Sequence, residues 1–270
     1  MRAYIDILRP SVVLLSIFAV IVGALLSGYN DYLMIVLALL SVLFIGGAGN
    51  IINDIADYET DKINKPERPI PSGKIKIQTA YYYSAILFAL GFGITFLLNT
   101  YMIILAAFNI FIEFIYSYKL KARPLIGNFL PSWLAASSFI FGSLLMQSLN
   151  PIVLLLAGLA FLANTGREIA KDIEDIKGDK KAKITTMPVM LGHHFSAGIA
   201  IVFVLFAVLL SPAPYILNLL SINYLYIVAI ADILFGVSCF FLLTNPSKSQ
   251  KTMKIAMFIA ILAFLIGFLY

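Results

Sequence analysis

The chain has 270 residues, of which 61% are hydrophobic and only 12% are charged. A typical soluble domain carries about 25% charged residues. This composition therefore excludes a soluble globular domain, which would expose large apolar patches. The net charge of +5 comes from basic segments that flank apolar runs. Such segments mark membrane topology and phosphate binding, so we expect no nucleic-acid partner.

Nine apolar runs, each about long enough to cross a bilayer, predict an all-α polytopic membrane protein with nine transmembrane helices. They lie near residues 10–28, 32–53, 79–97, 101–117, 127–145, 151–172, 191–210, 221–243 and 252–269. Polar residues follow the first run in place of a small-residue cleavage pattern. We therefore interpret it as a retained span and not as a signal peptide.

Lysine and arginine residues are concentrated on one side of the predicted spans. The connections near 29–31, 98–100, 146–150 and 211–220 carry a single charged residue, Asp31, whereas the amino terminus and the other connections are basic. By the positive-inside rule the basic side is cytoplasmic. We expect a multi-pass protein of the cell membrane with its amino terminus in the cytoplasm and its carboxyl terminus outside.

An acidic pattern recurs on the cytoplasmic side, at the ends of spans two and six. Its residues are Asn53, Asp54, Asp57 and Asp61 in the first copy and Asp172, Asp175 and Asp179 in the second. Carboxylates three and four residues apart share one face of a helix, and Mg²⁺ prefers oxygen ligands of this kind. The pattern predicts a cytoplasmic Mg²⁺ site that binds a phosphorylated ligand. The alternative, a solvent-exposed acidic helix end, is disfavoured by the repetition.

The recurrence of the motif after four spans also bears on domain organisation. Residues 1–270 are expected to form a single transmembrane domain. An internal duplication would relate spans 1–4 to spans 5–8 and leave span 9 outside the repeat.

Basic residues near the acidic motifs are candidate ligands for phosphate groups. They are Arg9, Arg68, Lys119, Lys121, Arg123, Arg167 and Lys171. Arg68 lies in a loop stiffened by prolines, which favours a fixed phosphate contact. For the others, positive-inside topology and surface ion pairs are the alternative interpretations. Asn109, Glu113 and Tyr116 are polar residues of an apolar span and are candidate lining residues of an acceptor pocket.

Both motifs resemble those of the UbiA-type superfamily of intramembrane prenyltransferases. The match is Asn53-Asp54-x-x-Asp57-x-x-x-Asp61 with Asp172-x-x-Asp175-x-x-x-Asp179, and it extends to the whole chain in span count and motif placement. The resemblance implies nine helices around a central cavity, where Mg²⁺ helps to bind an isoprenyl diphosphate. It also implies catalytic roles for Asp57, Asp61, Asp175 and Asp179.

Within this superfamily, residues 61–73 and 119–128 resemble the archaeal digeranylgeranylglyceryl phosphate synthases. The resemblance implies transfer of a geranylgeranyl group from geranylgeranyl diphosphate to a lipid phosphate, geranylgeranylglyceryl phosphate, which forms an ether bond and releases diphosphate. Prenylation of an aromatic acceptor such as 4-hydroxybenzoate is the alternative. A cation-coupled transporter is a rival function, and it predicts charged residues near the bilayer midplane in several spans.

Overall fold

A computed structural model describes residues 2–269 of the chain. In chain order its α-helices are α1 (Arg2–Asp6), α2 (Pro10–Leu26), α3 (Tyr32–Ala56), α4 (Tyr58–Asn64), α5 (Ile77–Thr95), α6 (Thr100–Ile115), α7 (Ile126–Ser143), α8 (Pro151–Lys181), α9 (Met187–Leu191), α10 (His193–Leu210), α11 (Ala213–Ile216), α12 (Ile222–Thr244) and α13 (Pro246–Leu269). A π-helical turn (Tyr116–Leu120) follows α6, and a 3₁₀ turn (Leu144–Met146) follows α7. These residues form no β-strand, which confirms the predicted all-α fold.

The long helices α2, α3, α5, α6, α7, α8, α10, α12 and α13 occupy the predicted spans. Within residues 2–269, eight of them, some counted with the turn that extends them, are long and apolar enough to cross a membrane. The ninth, α2, is apolar but has only 17 residues, fewer than the roughly 20 that cross the hydrocarbon core upright. The chain is a multi-pass membrane protein.

Three polar residues on the side opposite the acidic motifs begin long helices. Asp31 caps α3, Asn99 caps α6 and Asn150 caps α8, and each side chain accepts a hydrogen bond of 3.0–3.1 Å from a backbone N–H in the first turn. These bonds satisfy N–H groups that a helix start leaves without partners. Capping therefore explains why one acidic residue, Asp31, occurs in these otherwise uncharged connections.

The two helices that carry the acidic motifs differ in continuity. α8 has 31 residues and is roughly 46 Å long at 1.5 Å per residue. It continues to Lys181, beyond the predicted end of the span near 172, so its last turns project past an apolar layer about 30 Å thick. α3 instead ends at Ala56 and α4 begins at Tyr58. The first motif is interrupted at Asp57, so it does not lie on one continuous helical face as predicted.

A cavity of about 610 Å³ lies between α2, α3, α6, α7, α8 and α13. α4 packs against α8 at its edge, where Gly178 permits the approach: a Cβ at this position would lie 2.2 Å from Nδ2 of Asn64. That Nδ2 donates a hydrogen bond to the backbone carbonyl of Asp175 at 3.1 Å. The contact joins the two acidic regions. Of the domain expected over 1–270, Met1 and Tyr270 lie outside the described residues, and the internal duplication stays a prediction.

Candidate active site

Most of the predicted site residues line this one cavity. They are Arg9, Asn53, Asp57, Arg68, Asn109, Glu113, Tyr116, Lys121, Arg167, Lys171, Asp172 and Asp175. They come from helices and loops far apart in the sequence, so the fold collects them into one polar wall. The central cavity that the resemblance implies is present.

The carboxylates of the first motif are paired with cations. The Asp57 carboxylate forms an ion pair with the ammonium group of Lys121. Nη1 of Arg68 donates to Asp61 at 2.5 Å and to Asp54 at 3.2 Å. Arg68 thus bridges the two carboxylates on either side of the helix interruption, which fixes the proline-containing loop against the cavity.

The second motif meets the loop after α4 and the start of α7. Nζ of Lys65 donates to the Asp175 carboxylate at 2.6 Å, and the buried amide of Asn128 donates to Asp172 at 2.6 Å. The Lys65–Asp175 pair links the loop of the first motif to the helix of the second. The two motifs therefore form neighbouring parts of one charged network.

Some predicted site residues lie outside the cavity lining, namely Asp54, Asp61, Lys119, Arg123 and Asp179. Asp54, Asp61 and Asp179 are buried; the third accepts a hydrogen bond from Oγ1 of Thr186 at 3.0 Å. The catalytic roles expected of Asp61 and Asp179 stay predictions, and both carboxylates lie behind the wall of the cavity. Lys119 and Arg123 are exposed, so the geometry places neither of them against a ligand in the cavity.

The π-helical turn decides which lysine after span four faces the cavity. The backbone N–H of Lys121 bonds to the carbonyl of Tyr116, five residues back, at 2.9 Å. In a regular α-helix residues three or four apart share a face, so Lys119 would lie on the same face as Tyr116. The wider π turn brings Lys121 to that face instead. Tyr116 and Lys121 both line the cavity, and Lys119 is exposed.

Arg9 reaches the first motif from a strained backbone. Its φ of 51° and ψ of 64° lie in the left-handed region, which is uncommon for a residue other than glycine and disfavoured before proline. Its guanidinium forms an ion pair with Asp54. Burial alone would lower the pKa of Arg9, but Asp54 and Asp57 raise that pKa above its ordinary value. The left-handed backbone and the ion pair with Asp54 together place a permanently charged guanidinium at the cavity.

Asp57 and Asp61 differ in electrostatic environment. Burial alone would raise the pKa of Asp57, but Lys121, Arg9 and Arg68 outweigh it and the pKa is lowered. At Asp61 burial, aided by the charge of Asp57, outweighs Arg68 and the pKa is raised. Asp57 is therefore the carboxylate of the first motif that lines the cavity, and its neighbouring cations favour the ionised form.

Oxygen donors that suit a hard divalent cation line the cavity. Asn53, Asp57, Asp172 and Asp175 contribute carboxylate and amide oxygens, the ligand types that Mg²⁺ prefers. Within residues 2–269 no three acidic, histidine or cysteine side chains converge as a metal cluster. Lysine ammonium groups neutralise Asp57 and Asp175 instead. The oxygen ligands of the cavity fit Mg²⁺, and two of the same carboxylates form ion pairs with lysines.

The three residues predicted to line an acceptor pocket are Asn109, Glu113 and Tyr116. Asn109 and Glu113 have hydrogen-bond partners at the cavity wall, and Tyr116 is buried there. The amide of Asn53 donates to Glu113 at 2.5 Å. Asn109 donates to Oγ of Ser137 at 2.9 Å and accepts from Nε1 of Trp133 at 3.0 Å. These bonds tie α6 to α3 and α7, as buried polar groups in a membrane protein require.

Sequence reasoning does not assign six charged residues of the cavity lining to the site: Asp6, Lys65, Glu168, Glu174, Lys251 and Lys254. Lys254 gives a usable signal, because a cation within the last apolar span is costly without a role. Lys65 gives none, since it lies among other loop charges. Glu168 accepts from Arg167 at 3.2 Å and from Lys171 at 2.6 Å. These pairs are largely buried, which excludes the alternative of a surface ion-pair ladder.

Residues 15–262 match the model of the UbiA prenyltransferase family. The chain belongs to this family. It is thus a membrane-embedded UbiA prenyltransferase, as its acidic motifs predict. Over 272 residues it is 40% identical to the digeranylgeranylglyceryl phosphate synthase of Methanosphaera stadtmanae, a match that covers 99% of each chain.

Two solved structures share the UbiA fold of this chain. One, which concerns digeranylgeranylglyceryl phosphate synthase in membranes, is 40% identical with a TM-score of 0.76, and the match covers 98% of this chain and 97% of the other. A UbiA homologue from Archaeoglobus fulgidus bound to GPP and Mg²⁺ is 20% identical with a TM-score of 0.75, covering 99% and 100% of the two chains. At that lower identity the likeness concerns the fold alone.

Proposed function

We propose that this UbiA enzyme transfers a geranylgeranyl group from geranylgeranyl diphosphate to geranylgeranylglyceryl phosphate in a Mg²⁺-dependent reaction. The observation that carries the proposal is the 40% identity, over 99% of the chain, to a digeranylgeranylglyceryl phosphate synthase. The cavity supports it, because its polar wall adjoins a second, mostly apolar pocket. An isoprenoid substrate with a charged head and an apolar tail needs both environments.

The donor diphosphate is proposed to bind between the acidic motifs. Asp57 and Asp175, with Asn53 and Asp172, would hold Mg²⁺, which supplies positive charge to the diphosphate oxygens when bound. The A. fulgidus homologue bound to GPP and Mg²⁺ supports this choice of cofactor.

Three cations would act on the departing diphosphate. Lys65, Arg68 and Lys121 line the cavity beside the motifs and stabilise the negative charge that develops as the bond between the allylic carbon and the diphosphate oxygen breaks. The electron pair leaves with the diphosphate. The acceptor hydroxyl oxygen then bonds to the allylic carbon and releases its proton. Because that carbon is strongly electrophilic, no general base is required before the ether bond forms.

Exclusion of water is the other contribution of the protein. Apolar side chains of α2, α7, α8 and α13 line the pocket next to the polar wall. An apolar wall beside the reacting carbon keeps water away and so protects a carbocation-like prenyl group from hydrolysis. We further propose that the polar end of the cavity faces the cytoplasm, because the basic connections lie on that side.

A product assay with an acceptor panel tests the proposed function. The purified protein receives geranylgeranyl diphosphate, Mg²⁺ and either geranylgeranylglyceryl phosphate or 4-hydroxybenzoate, and mass spectrometry identifies the product. We expect the ether lipid phosphate as the product. A prenylated hydroxybenzoate without the ether lipid would refute the acceptor assignment and support the aromatic alternative.

Variants of the motif carboxylates test the site. Asp57→Asn and Asp175→Asn are expected to lower kcat/KM at least about a hundredfold, as loss of one transition-state electrostatic contact does. The matched control is Glu59→Gln, because Glu59 is exposed on α4 and pairs only with Lys62. The assignment fails if both motif variants retain full activity while folded and inserted in the membrane.

A further inference from the structure

A second group of cations lines the cavity on the side of α13. This α8–α13 cluster consists of Arg167, Lys171 and Lys254, which line the cavity together. Arg167 and Lys171 share one carboxylate, Glu168. Lys254 donates a hydrogen bond to Oγ of Ser11 and forms no ion pair within residues 2–269. The cluster therefore has more positive than negative charge at contact distance.

The guanidinium of Arg167 is incompletely satisfied. Its side chain is 10% exposed and its Nη1 donates to Glu168 at 3.2 Å. Its Nε is buried and has no hydrogen-bond partner. A buried donor without a partner costs stability, more so in a charged group. An anion in the cavity would supply the missing acceptor, and a phosphate fits because it can accept two parallel N–H bonds from one guanidinium.

The wall formed by the acidic motifs has the opposite character. Lys65, Arg68 and Lys121 are each within ion-pair distance of a motif carboxylate. Of the cations that line the cavity, Lys254 and the exposed Lys251, both on α13, have no ion-pair partner within residues 2–269. The other carboxylate on that side is Glu174, which lines the cavity and accepts a hydrogen bond from Gln250 of α13 at 3.2 Å. A phosphate monoester carries a charge of about −1.5 to −2 at neutral pH, which suits a part of the cavity where cations outnumber carboxylates.

The α8–α13 cluster stands at the junction of two environments. Arg167 and Asn164 line both the polar cavity and the neighbouring apolar pocket. That pocket is otherwise lined largely by apolar and aromatic side chains, among them Phe139, Tyr224 and Phe264. A ligand at this junction would have an anionic head and an apolar tail.

We propose that Arg167 and Lys254 bind the phosphate of the lipid acceptor, while its isoprenoid tail enters the apolar pocket between α2, α8, α12 and α13. The inference rests on the proposed function, because it names the acceptor subsite of that reaction. Arg167 precedes Asp175 by eight residues on the continuous helix α8, roughly 12 Å at 1.5 Å per residue. The separation leaves room for two distinct anions, with the donor diphosphate at the acidic motifs and the acceptor phosphate at the α8–α13 cluster.

Separate KM values for the two substrates test this assignment. Lys254→Met removes the cation and keeps an unbranched side chain, and it leaves no carboxylate without an ion-pair partner. We expect the KM for geranylgeranylglyceryl phosphate to rise about tenfold or more, as loss of a charge-assisted hydrogen bond does, and the KM for geranylgeranyl diphosphate to change less than about twofold. Arg167→Lys, which keeps the charge and loses the planar fork, is expected to raise the acceptor KM by a smaller factor.

The matched control is Lys248→Met, a change of the same kind on the same helix at an exposed residue outside the cavity lining. It should alter neither KM. A rise in the donor KM on Lys254→Met, or an equal rise in both, overturns the assignment and places the donor diphosphate at the cluster.

A binding experiment without turnover separates this inference from the proposed function. Radiolabelled geranylgeranylglyceryl phosphate and its dephosphorylated form, geranylgeranylglycerol, are bound to the metal-chelated protein in nanodiscs. We expect the phosphorylated lipid to bind more tightly, and Lys254→Met to remove most of that difference. If the wild-type protein shows this preference but transfers no prenyl group, the proposed function fails and the phosphate subsite stands. If it shows no preference, the subsite is refuted whatever the activity.

Discussion

At the scale of single residues, the two lysines after span four give a matched pair. Lys121 contacts Asp57 and lines the cavity, whereas Lys119 is exposed only two residues away. We expect Lys121→Met to lower kcat/KM roughly ten- to a hundredfold, because it removes a cation from the proposed leaving-group site. Lys119→Met should leave kcat/KM within about twofold. Steady-state kinetics on both variants checks the prediction.

Equal losses in the two variants would contradict the π-helical register, because the effect would then follow the charge of the segment and not the position of the side chain. A circular dichroism spectrum and a melting curve establish that each variant is folded. The comparison needs no knowledge of the acceptor, since both variants are assayed with the same substrates.

Residue type and spacing in the sequence predict the acidic part of the site better than its basic part. Asp57 and Asp175 reach the cavity as the motif indicates. The cations are harder to predict, because positive-inside topology places lysines near the site whether or not they bind a ligand. Arg123, a predicted phosphate ligand, is exposed and lies outside the cavity lining, whereas Lys254, which the sequence pattern does not single out, lines the cavity. Only packing shows which of them faces inward.

At the scale of helices, the hydropathy pattern predicts position well and local irregularity poorly. All nine long helices coincide with apolar runs, because burial in lipid requires continuous apolar sequence with internal hydrogen bonds. The helix interruption at Asp57 and the π turn after α6 do not change the hydropathy averaged over a span, so the sequence pattern does not reveal them. The backbone hydrogen bonds at both places are local, from Asp57 to Asn53 and from Lys121 to Tyr116, and both irregularities occur beside side chains that line the cavity.

Close packing of α2 against α7 leads to a stability prediction. A Cβ at Gly142 would lie 2.1 Å from the backbone oxygen of Val20, and one at Gly23 would lie 2.1 Å from that of Phe139. Backbone cannot move aside as a flexible side chain does. Gly142→Ala is therefore expected to destabilise the protein by about 1–3 kcal/mol, the usual cost of overpacking.

The control for Gly142→Ala is Gly158→Ala on α8, where an added Cβ meets no atom within 4 Å. Alanine favours a helix over glycine by about 0.8–1.0 kcal/mol, so this variant should be as stable as the parent or more so. Thermal unfolding in one detergent compares the three proteins. Equal melting temperatures for the parent and Gly142→Ala would contradict the close approach of α2 and α7.

At the scale of the whole molecule, the fold separates charge along the membrane normal. The acidic motifs, their cations and the proline-containing loop lie at one end of the bundle, while the connections at the other end contain Asp31 as their only charged side chain within the described residues. Under the proposed function the first group must remain accessible to Mg²⁺ and to the inorganic diphosphate that the reaction releases. This asymmetry, more than any single contact, supports a cytoplasmic active site.

Cysteine labelling in intact bacterial cells tests that orientation. Cys239 is the only cysteine of the chain, so Cys239→Ala provides a background into which Ser72→Cys or Ser148→Cys is introduced. Both serines are exposed, one in the loop after α4 and the other between α7 and α8. Because positively charged connections stay in the cytoplasm, a membrane-impermeant maleimide should label Ser148→Cys in intact cells and Ser72→Cys only in inverted vesicles. The Cys239→Ala background alone should remain unlabelled in both. Labelling of Ser72→Cys in intact cells contradicts the orientation and, with it, access of cytoplasmic diphosphate to the acidic motifs.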